Sequence, residues 1–119
     1  MTSISSPKEF VELRQHGVRF KANGFISLVF LSNESSETKT AMSIPRKVGN
    51  AVVRNRVRRR MRSCIYEFSE RMPSGSYLFS IYPEVLGLSY HQLLEMVELL
   101  VEKVVDKTSH RDDLKSTKR

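Results

Sequence analysis

The sequence lacks the residue patterns that usually indicate catalysis or metal binding. It contains one cysteine, Cys64, which excludes an intramolecular disulfide and offers no cysteine-based metal site. The three histidines, His16, His91 and His110, are scattered, and none stands in a motif with a nucleophile or a metal partner. No phosphate-binding glycine loop and no dinucleotide fingerprint is present. The side chains therefore predict a binding protein with no catalytic residue and no metal ligand of its own.

The sequence also lacks long hydrophobic runs. No segment approaches the length of a membrane span, and the N-terminus has no apolar core of the kind found in a signal peptide. Together with the single cysteine, this favours a reducing compartment, so we expect a cytoplasmic protein without a membrane partner. The 119 residues fit one domain, and a hydrophobic fraction of 39% is typical of a globular chain.

Acidic residues are missing from the most basic part of the chain. The formal net charge is +7, and eight of the 20 Lys+Arg residues lie between Arg46 and Arg62, where there is no Asp or Glu. Arginine dominates this segment, and its planar guanidinium fits phosphate oxygens and stacks on bases. The segment therefore predicts a polyanionic partner, nucleic acid in particular. These eight residues, called the arginine cluster below, are Arg46, Lys47, Arg54, Arg56, Arg58, Arg59, Arg60 and Arg62.

The apolar residues of the same region recur with the period of a helix. At about 100° per residue they form one stripe, and Arg59 lies opposite it. Arg58 and Arg62 fall on one flank, and Arg56 and Arg60 fall on the other. We therefore expect a helix with a buried apolar face and a cationic remainder. The stripe consists of Val53, Val57, Met61, Cys64 or Ile65, Phe68 and Met72.

Capping and turn signals predict the other elements. A first helix begins with Ser6 as N-cap, Pro7 in the first turn and Glu9 as the partner in a capping box, and it ends at Gly17. A last helix begins with a second capping box and carries an apolar stripe that must be core. The expected strands are, first, 18–21 with 25–31, joined by Asn23-Gly24 as a turn or bulge, second, 38–44, and third, 76–82. The basic helix is expected over 51–71 with Asn50 as N-cap. The last helix is expected to have the capping box Ser89/Gln92 and the stripe Leu93, Leu94, Val97, Leu100, Val101, Val104 and Val105.

These elements predict a single-domain α+β fold. The expected order is α-β-β-α-β-α, an α–β sandwich in which a small sheet has helices mainly on one side. We expect residues 1–105 to form the domain and residues 106–119 to form a polar, flexible tail.

The basic helix and the loop before it carry a specific motif. Residues 47–59 read Lys-Val-Gly-Asn-Ala-Val-Val-Arg-Asn-Arg-Val-Arg-Arg. This segment closely resembles the signature of the bacterial ribonuclease P protein family, which is centred on an Arg-Asn-Arg triplet. The triplet alone would be weak evidence, but in this context, and in a basic chain of this size, it is specific. The resemblance extends less sharply over most of residues 5 to 105.

The resemblance implies an auxiliary subunit of an endoribonuclease. In that family the protein assists a catalytic RNA that removes the 5′ leader from precursor tRNA, and the RNA carries out the hydrolysis with Mg²⁺. The implied partners are the catalytic RNA and precursor tRNA. The family fold resembles a ribosomal-protein domain and has a left-handed β-α-β crossover around the basic helix. The general rule for parallel strands would predict the right-handed form.

The resemblance also implies two RNA-binding regions. The family's leader-binding cleft lies between the sheet and the first helix, and Phe10 matches one of its aromatic residues. Arg14 and Leu28 stand where the family has a second aromatic residue and a tyrosine, so we expect Arg14 to stack as a cation and Phe25 or Phe30 to supply a ring. The predicted cleft residues are Phe10, Arg14, Phe25 and Leu28. The predicted contacts to the catalytic RNA are Arg46, Lys47, Asn50, Arg54, Asn55, Arg56, Arg58, Arg59 and Arg62.

Three other interpretations start from the residues alone. A generic basic domain with solvated arginines is disfavoured, because eight cations without counter-charges repel one another. A ribosomal or DNA-binding protein would share the charge but not the motif around Arg54-Asn55-Arg56. A stand-alone nuclease would need acidic metal ligands, and the sequence offers no such set.

Overall fold

A computed structural model describes the backbone of residues 1–117 and the side chains of residues 1–109. It contains a five-stranded sheet, three α-helices and three short 3-10 turns. The elements are β1 (Thr2–Ser3), α1 (Pro7–His16), β2 (Val18–Ala22), β3 (Ile26–Ser32), β4 (Thr38–Ser43), α2 (Ala51–Glu67), β5 (Gly75–Ile81) and α3 (Tyr90–Thr117), with the 3-10 turns at Arg46–Val48, Ser69–Arg71 and Pro83–Gly87.

The sheet has the strand order β1-β4-β5-β3-β2. The pairs β1–β4 and β4–β5 are parallel, and the pairs β5–β3 and β3–β2 are antiparallel. The central strand β3 is apolar on both faces because side chains alternate along a strand and helices cover both sides here. Leu28 and Phe30 face α2 and α3, whereas Val29 and Leu31 face α1.

Two hydrophobic cores hold the helices against the sheet. The larger core lies between the sheet and the helices α2 and α3, and the smaller core joins Leu13 of α1 to Ile4, Val29 and Leu78. The stripes predicted for the basic and last helices are confirmed for the residues that lie on those helices. Their buried members are Val57, Met61, Cys64 and Ile65 in the first and Leu93, Val97, Leu100, Val101 and Val104 in the second. Met72 is buried too, but it follows the end of the first helix.

The connection β4–α2–β5 joins neighbouring parallel strands and is left-handed. Thr40 is in register with Tyr77, whose side chain lies in the larger core, so Thr40 faces α2. The Thr40 carbonyl accepts a hydrogen bond from the Ile4 amide (3.0 Å) and therefore points toward β1. When a strand runs upward and the side chain of an L-residue points toward the viewer, the carbonyl of that residue points to the viewer's right. Seen from α2, β1 is thus on the right and β5 on the left, which makes the crossover left-handed, against the general rule.

The predicted caps differ in outcome. Asn50 caps α2 as expected, since its side chain accepts a hydrogen bond from the Val53 amide (3.0 Å). The first capping box is wrong, because Ser6 makes no side-chain cap bond and Glu9 pairs instead with Lys39 of β4 (3.2 Å). The second box forms with both reciprocal bonds, at 2.9 and 3.1 Å between Ser89 and Gln92.

Element boundaries differ from the sequence prediction in three places. Helix α2 ends at Glu67, because the residues after it tighten into a 3-10 turn. The strands β2 and β3 form a hairpin, and its turn residues Asn23 and Gly24 both have positive φ (50° and 78°). Three strands therefore separate α1 from α2. The short strand β1, which was not predicted, precedes α1. Residues 106–117 continue α3, although a tail was expected there. The domain limit at residue 105 and the flexibility beyond it stay predictions, and residues 118–119 lie outside the described part.

The anchoring of α2 can be tested by comparing its two faces. Met61 is fully buried, so Met61→Ala should lower the free energy of unfolding by about 2–5 kcal/mol through lost burial and a residual cavity. Val52→Ala is the control on the same helix, because Val52 is 69% exposed and its truncation should change stability by less than about 0.5 kcal/mol. Urea unfolding followed by circular dichroism measures both values. Equal losses would contradict the assigned faces.

Candidate nucleic-acid interface

The loop before α2 sets the direction of the arginine cluster. Val48 is 2% exposed and anchors the 3-10 turn that carries Arg46 and Lys47, both of which are exposed. A Cβ atom at Gly49 would lie 2.7 Å from Val53 Cγ1, so the loop closes onto the first turn of α2 only with glycine at this position. The N-cap then starts the helix at a defined point, and the following arginines project in fixed directions.

The arginines of α2 lie on two flanks of the helix, with Arg59 exposed between them. Arg58 and Arg62 line a groove at the β1–β4 edge of the sheet. Arg56 and Arg60 line a second groove against the turn that follows β5. This arrangement confirms the distribution predicted from the helical period. The cationic surface therefore extends around most of the helix instead of forming a single row.

No member of the arginine cluster forms an ion pair within residues 1–109, where side chains are described. Helix α2 has no acidic residue in its first turn, so the positive end of the helix dipole adds to the field of the arginines. The uncompensated charge makes this surface favourable for a polyanion, which relieves the mutual repulsion. The ion pairs of that range lie elsewhere and are Lys39–Glu9, Arg71–Glu98 and Arg71–Glu102; the His91 imidazole also lies 3.2 Å from a carboxylate oxygen of Glu95.

The Arg54-Asn55-Arg56 triplet has distinct local contacts. The Asn55 Oδ1 atom accepts a hydrogen bond from Arg58 Nη1 (3.0 Å), so the asparagine orients an arginine one turn along the helix. Arg54 is half-buried, and its Nε atom is buried without a hydrogen-bond partner among the described residues. A buried donor left unsatisfied costs roughly 1–3 kcal/mol. Arg54 therefore differs from the exposed arginines in carrying a buried donor that no described residue satisfies.

Helix α1 brings two of the predicted cleft residues together. The guanidinium carbon of Arg14 lies 6.0 Å from the centroid of the Phe10 ring, within the range of a cation–π contact. The assignment of Leu28 to a cleft beside α1 is wrong, because Leu28 is fully buried in the larger core on the opposite face of the sheet. Phe25 packs against that same core, and so does Phe30. None of these three side chains faces α1.

Two cations on the α1 face of the sheet were missed by the sequence analysis. Arg19 and Lys21 of β2 are in register with Val29 and Ser27 of β3, on the face that α1 covers in part. Both are exposed. The signal was available in the sequence Val18-Arg19-Phe20-Lys21-Ala22, where apolar and cationic residues alternate strictly, which is typical of a strand with one solvated face.

The described residues show no constellation for catalysis. No group of three or more His, Cys, Asp or Glu side chains within that range could hold a metal ion. Burial raises the pKa of the Cys64 thiol, which keeps it protonated and a poor nucleophile. No helix in the described part of the chain is both long and apolar enough to span a bilayer. The arrangement as a whole is suited to binding.

Comparison with known protein sequences gives a consistent result. The family model described as Ribonuclease P matches residues 2–105 of the chain. The ribonuclease P protein component of Borrelia duttonii (strain Ly) is 27% identical over 105 residues, which cover 87% of this chain and 91% of that protein. The ribonuclease P protein component of Acholeplasma laidlawii (strain PG-8A) is 32% identical over 82 residues, which cover 68% of this chain and 71% of that protein.

Solved structures show the same fold. The RNase P protein of Staphylococcus aureus superposes with a TM-score of 0.76 at 21% identity, covering 87% of this chain and 96% of that one. The RNase P protein of Thermotoga maritima superposes with a TM-score of 0.76 at 17% identity, and the match covers 86% of this chain and 96% of that one. At these identities the likeness concerns the fold alone.

Proposed function

The chain belongs to the ribonuclease P protein family, and on that premise we propose that it binds the catalytic RNA of ribonuclease P through the arginine cluster and the 5′ leader of precursor tRNA on the α1 face of the sheet. It is thus an RNA-binding protein component of a tRNA-processing ribonuclease. The observation that carries the proposal is the group of eight cations on α2 and its loop, with no acidic partner among the described side chains.

The two flanks of α2 suit a folded RNA. Structured RNA is recognised mainly by shape and by the positions of its phosphates, because the deep major groove of an A-form helix is closed to side chains. A helix with its side chains is about 10–12 Å across, so arginines on opposite flanks can reach phosphates of different RNA segments. Arg58 and Arg62 would hold one segment, and Arg56 and Arg60 the other.

In this proposal the RNA component would carry out the hydrolysis, and Mg²⁺ held by that RNA would supply the activation of water. The protein contributes positive charge. Neutralising phosphates with side chains replaces counterions that would otherwise be supplied by the solution. The RNA should therefore fold and bind substrate at a lower Mg²⁺ concentration when the protein is present.

The leader would bind beside α1. A single-stranded nucleic acid needs ring faces for stacking and cations for its backbone. The Phe10 ring and the Arg14 guanidinium supply the stacking surface, since the guanidinium carbon lies 6.0 Å from the ring centroid. The exposed Arg19 and Lys21 of β2 supply further cations on the same side of the sheet. This set replaces Phe25 and Leu28, whose side chains lie on the other face.

Reconstitution tests the proposal directly. The protein is mixed with a bacterial ribonuclease P RNA and a precursor tRNA at low Mg²⁺, and cleavage is measured with and without protein. Stimulation that requires the RNA component is the expected result. Cleavage without that RNA would identify a stand-alone nuclease, and an absence of stimulation would favour a different RNA-binding role; either result would refute the proposal.

The contribution of the triplet is measurable as a salt dependence. Arg54→Ala combined with Arg56→Ala should weaken binding to the RNA component and lower the log-log salt slope by about 1.5, because each lost phosphate contact removes roughly 0.7–0.9. The matched control is Arg71→Ala with Lys107→Ala, which removes the same charge elsewhere; Arg71 is already paired with Glu98 at 3.2 Å. Equal slopes for the two double variants would show that the triplet does not contact phosphate.

Leader recognition predicts a substrate-dependent effect at α1. Arg14→Ala should weaken the affinity of the assembled enzyme for leader-bearing tRNA by about fivefold, since one stacking or phosphate contact is lost. Affinity for mature tRNA should stay unchanged. Lys8→Ala, which removes a different exposed cation from α1, is the control variant. Equal losses with both tRNAs would place Arg14 outside the leader site.

A further inference from the structure

A groove of about 380 Å³ lies between the C-terminal half of α2 and the β1–β4 edge of the sheet. Its cationic side is formed by Arg58 and Arg62, and Tyr66 stands at its outer end. The floor is apolar, because Ile65 of α2 is 2% exposed and Met42 of β4 packs against the larger core. No acidic residue lines it. The groove therefore combines positive charge, an apolar floor and an aromatic ring.

The side chain of Tyr66 forms no hydrogen bond with the described residues and is not part of either hydrophobic core. It is 74% exposed, more than any other large apolar or aromatic side chain described. It follows Arg62 by four residues, which places the ring next to that guanidinium on the helix surface. Tyr90, which also lies near α2, is by contrast held by a hydrogen bond between its hydroxyl and Ser63 Oγ (2.7 Å). The ring of Tyr66 is free to bind a ligand.

The chemistry of the groove identifies its occupant. Two guanidinium groups without acidic partners favour an anion, and their planar forks match phosphate oxygens. An exposed ring beside an apolar floor favours a flat, largely apolar group. A nucleotide offers both, provided that its base is unpaired, because stacked and paired bases in an RNA helix do not expose their faces.

We propose that this groove binds an unpaired nucleotide of the catalytic RNA, with its base stacked on Tyr66 and its phosphates held by Arg58 and Arg62. The inference rests on the proposed function. It assigns the nucleotide to the RNA component rather than to the leader, because Arg58 and Arg62 belong to the arginine cluster. The α1 surface that would hold the leader faces the other side of the sheet.

Binding to the catalytic RNA alone, without tRNA, tests the stacking contact. Tyr66→Ala should weaken affinity about tenfold, a typical loss for one stacked base, without changing the salt slope. Tyr66→Phe keeps the ring and should bind within about twofold of the unmodified protein. Arg62→Ala should instead lower the slope by roughly 0.7–0.9. Val11→Ala, which truncates a 51% exposed side chain on α1, is the control and should have no effect.

A photoreactive benzophenone side chain at position 66 locates the nucleotide. A crosslink to an unpaired position of the catalytic RNA is expected. A crosslink to a paired segment or to the leader, unchanged affinity of Tyr66→Ala, or an equal loss for Tyr66→Phe would each overturn the inference. If Tyr66→Ala binds normally while the unmodified protein still stimulates cleavage, this site is refuted and the proposed function stands. An unmodified protein that does not bind the RNA refutes both.

Discussion

The packing of α2 against the sheet is the contact on which the rest of the structure depends. Val57, Met61 and Cys64 are at most 6% exposed and lie in the larger core with Tyr77 and Phe79 of β5. This burial offsets two unfavourable features of the helix, the mutual repulsion of its arginines and the entropy of ordering them. Because the apolar face is held, the cationic residues cannot turn inward. The binding surface is therefore a consequence of the core.

The left-handed crossover determines where that surface lies. Helix α2 leaves β4 and returns to β5 on the side away from β1, so one of its flanks lies over the β1–β4 edge and the other against the turn after β5. Helix α1 covers the opposite face of the sheet. The sheet thus separates two basic regions, one on α2 and one around Arg14 and Arg19. Under the proposed function, this separation would let a single small domain contact two RNA segments at once.

Local sequence patterns determine which features of the fold and of the candidate site can be predicted from this chain. The helical period predicted both faces and both flanks of α2, because an arginine and a valine at adjacent positions leave little ambiguity. The cleft positions taken from the family resemblance failed for Phe25 and Leu28. The local pattern could not correct them, since residues 25–31 are apolar almost throughout and a continuous run does not show which residues share a face. The Ser6 capping box failed for a tertiary reason: Glu9 is within 3.2 Å of Lys39, a partner distant in sequence. The crossover hand was accessible only through the family resemblance, because no local pattern encodes it.

The acidic residues complete the electrostatic design of the molecule. Glu95, Glu98, Glu102 and Asp106 recur three or four residues apart on α3, away from its buried stripe, and Arg71 pairs with two of them. This side of the protein would repel phosphates, while the α2 side attracts them. A protein with a net charge of +7 that was basic on every side could bind RNA in many orientations. Because this acidic side disfavours a polyanion, the proposed binding of the catalytic RNA at α2 would start from fewer orientations, and the short-range contacts of the arginine cluster would then select among them.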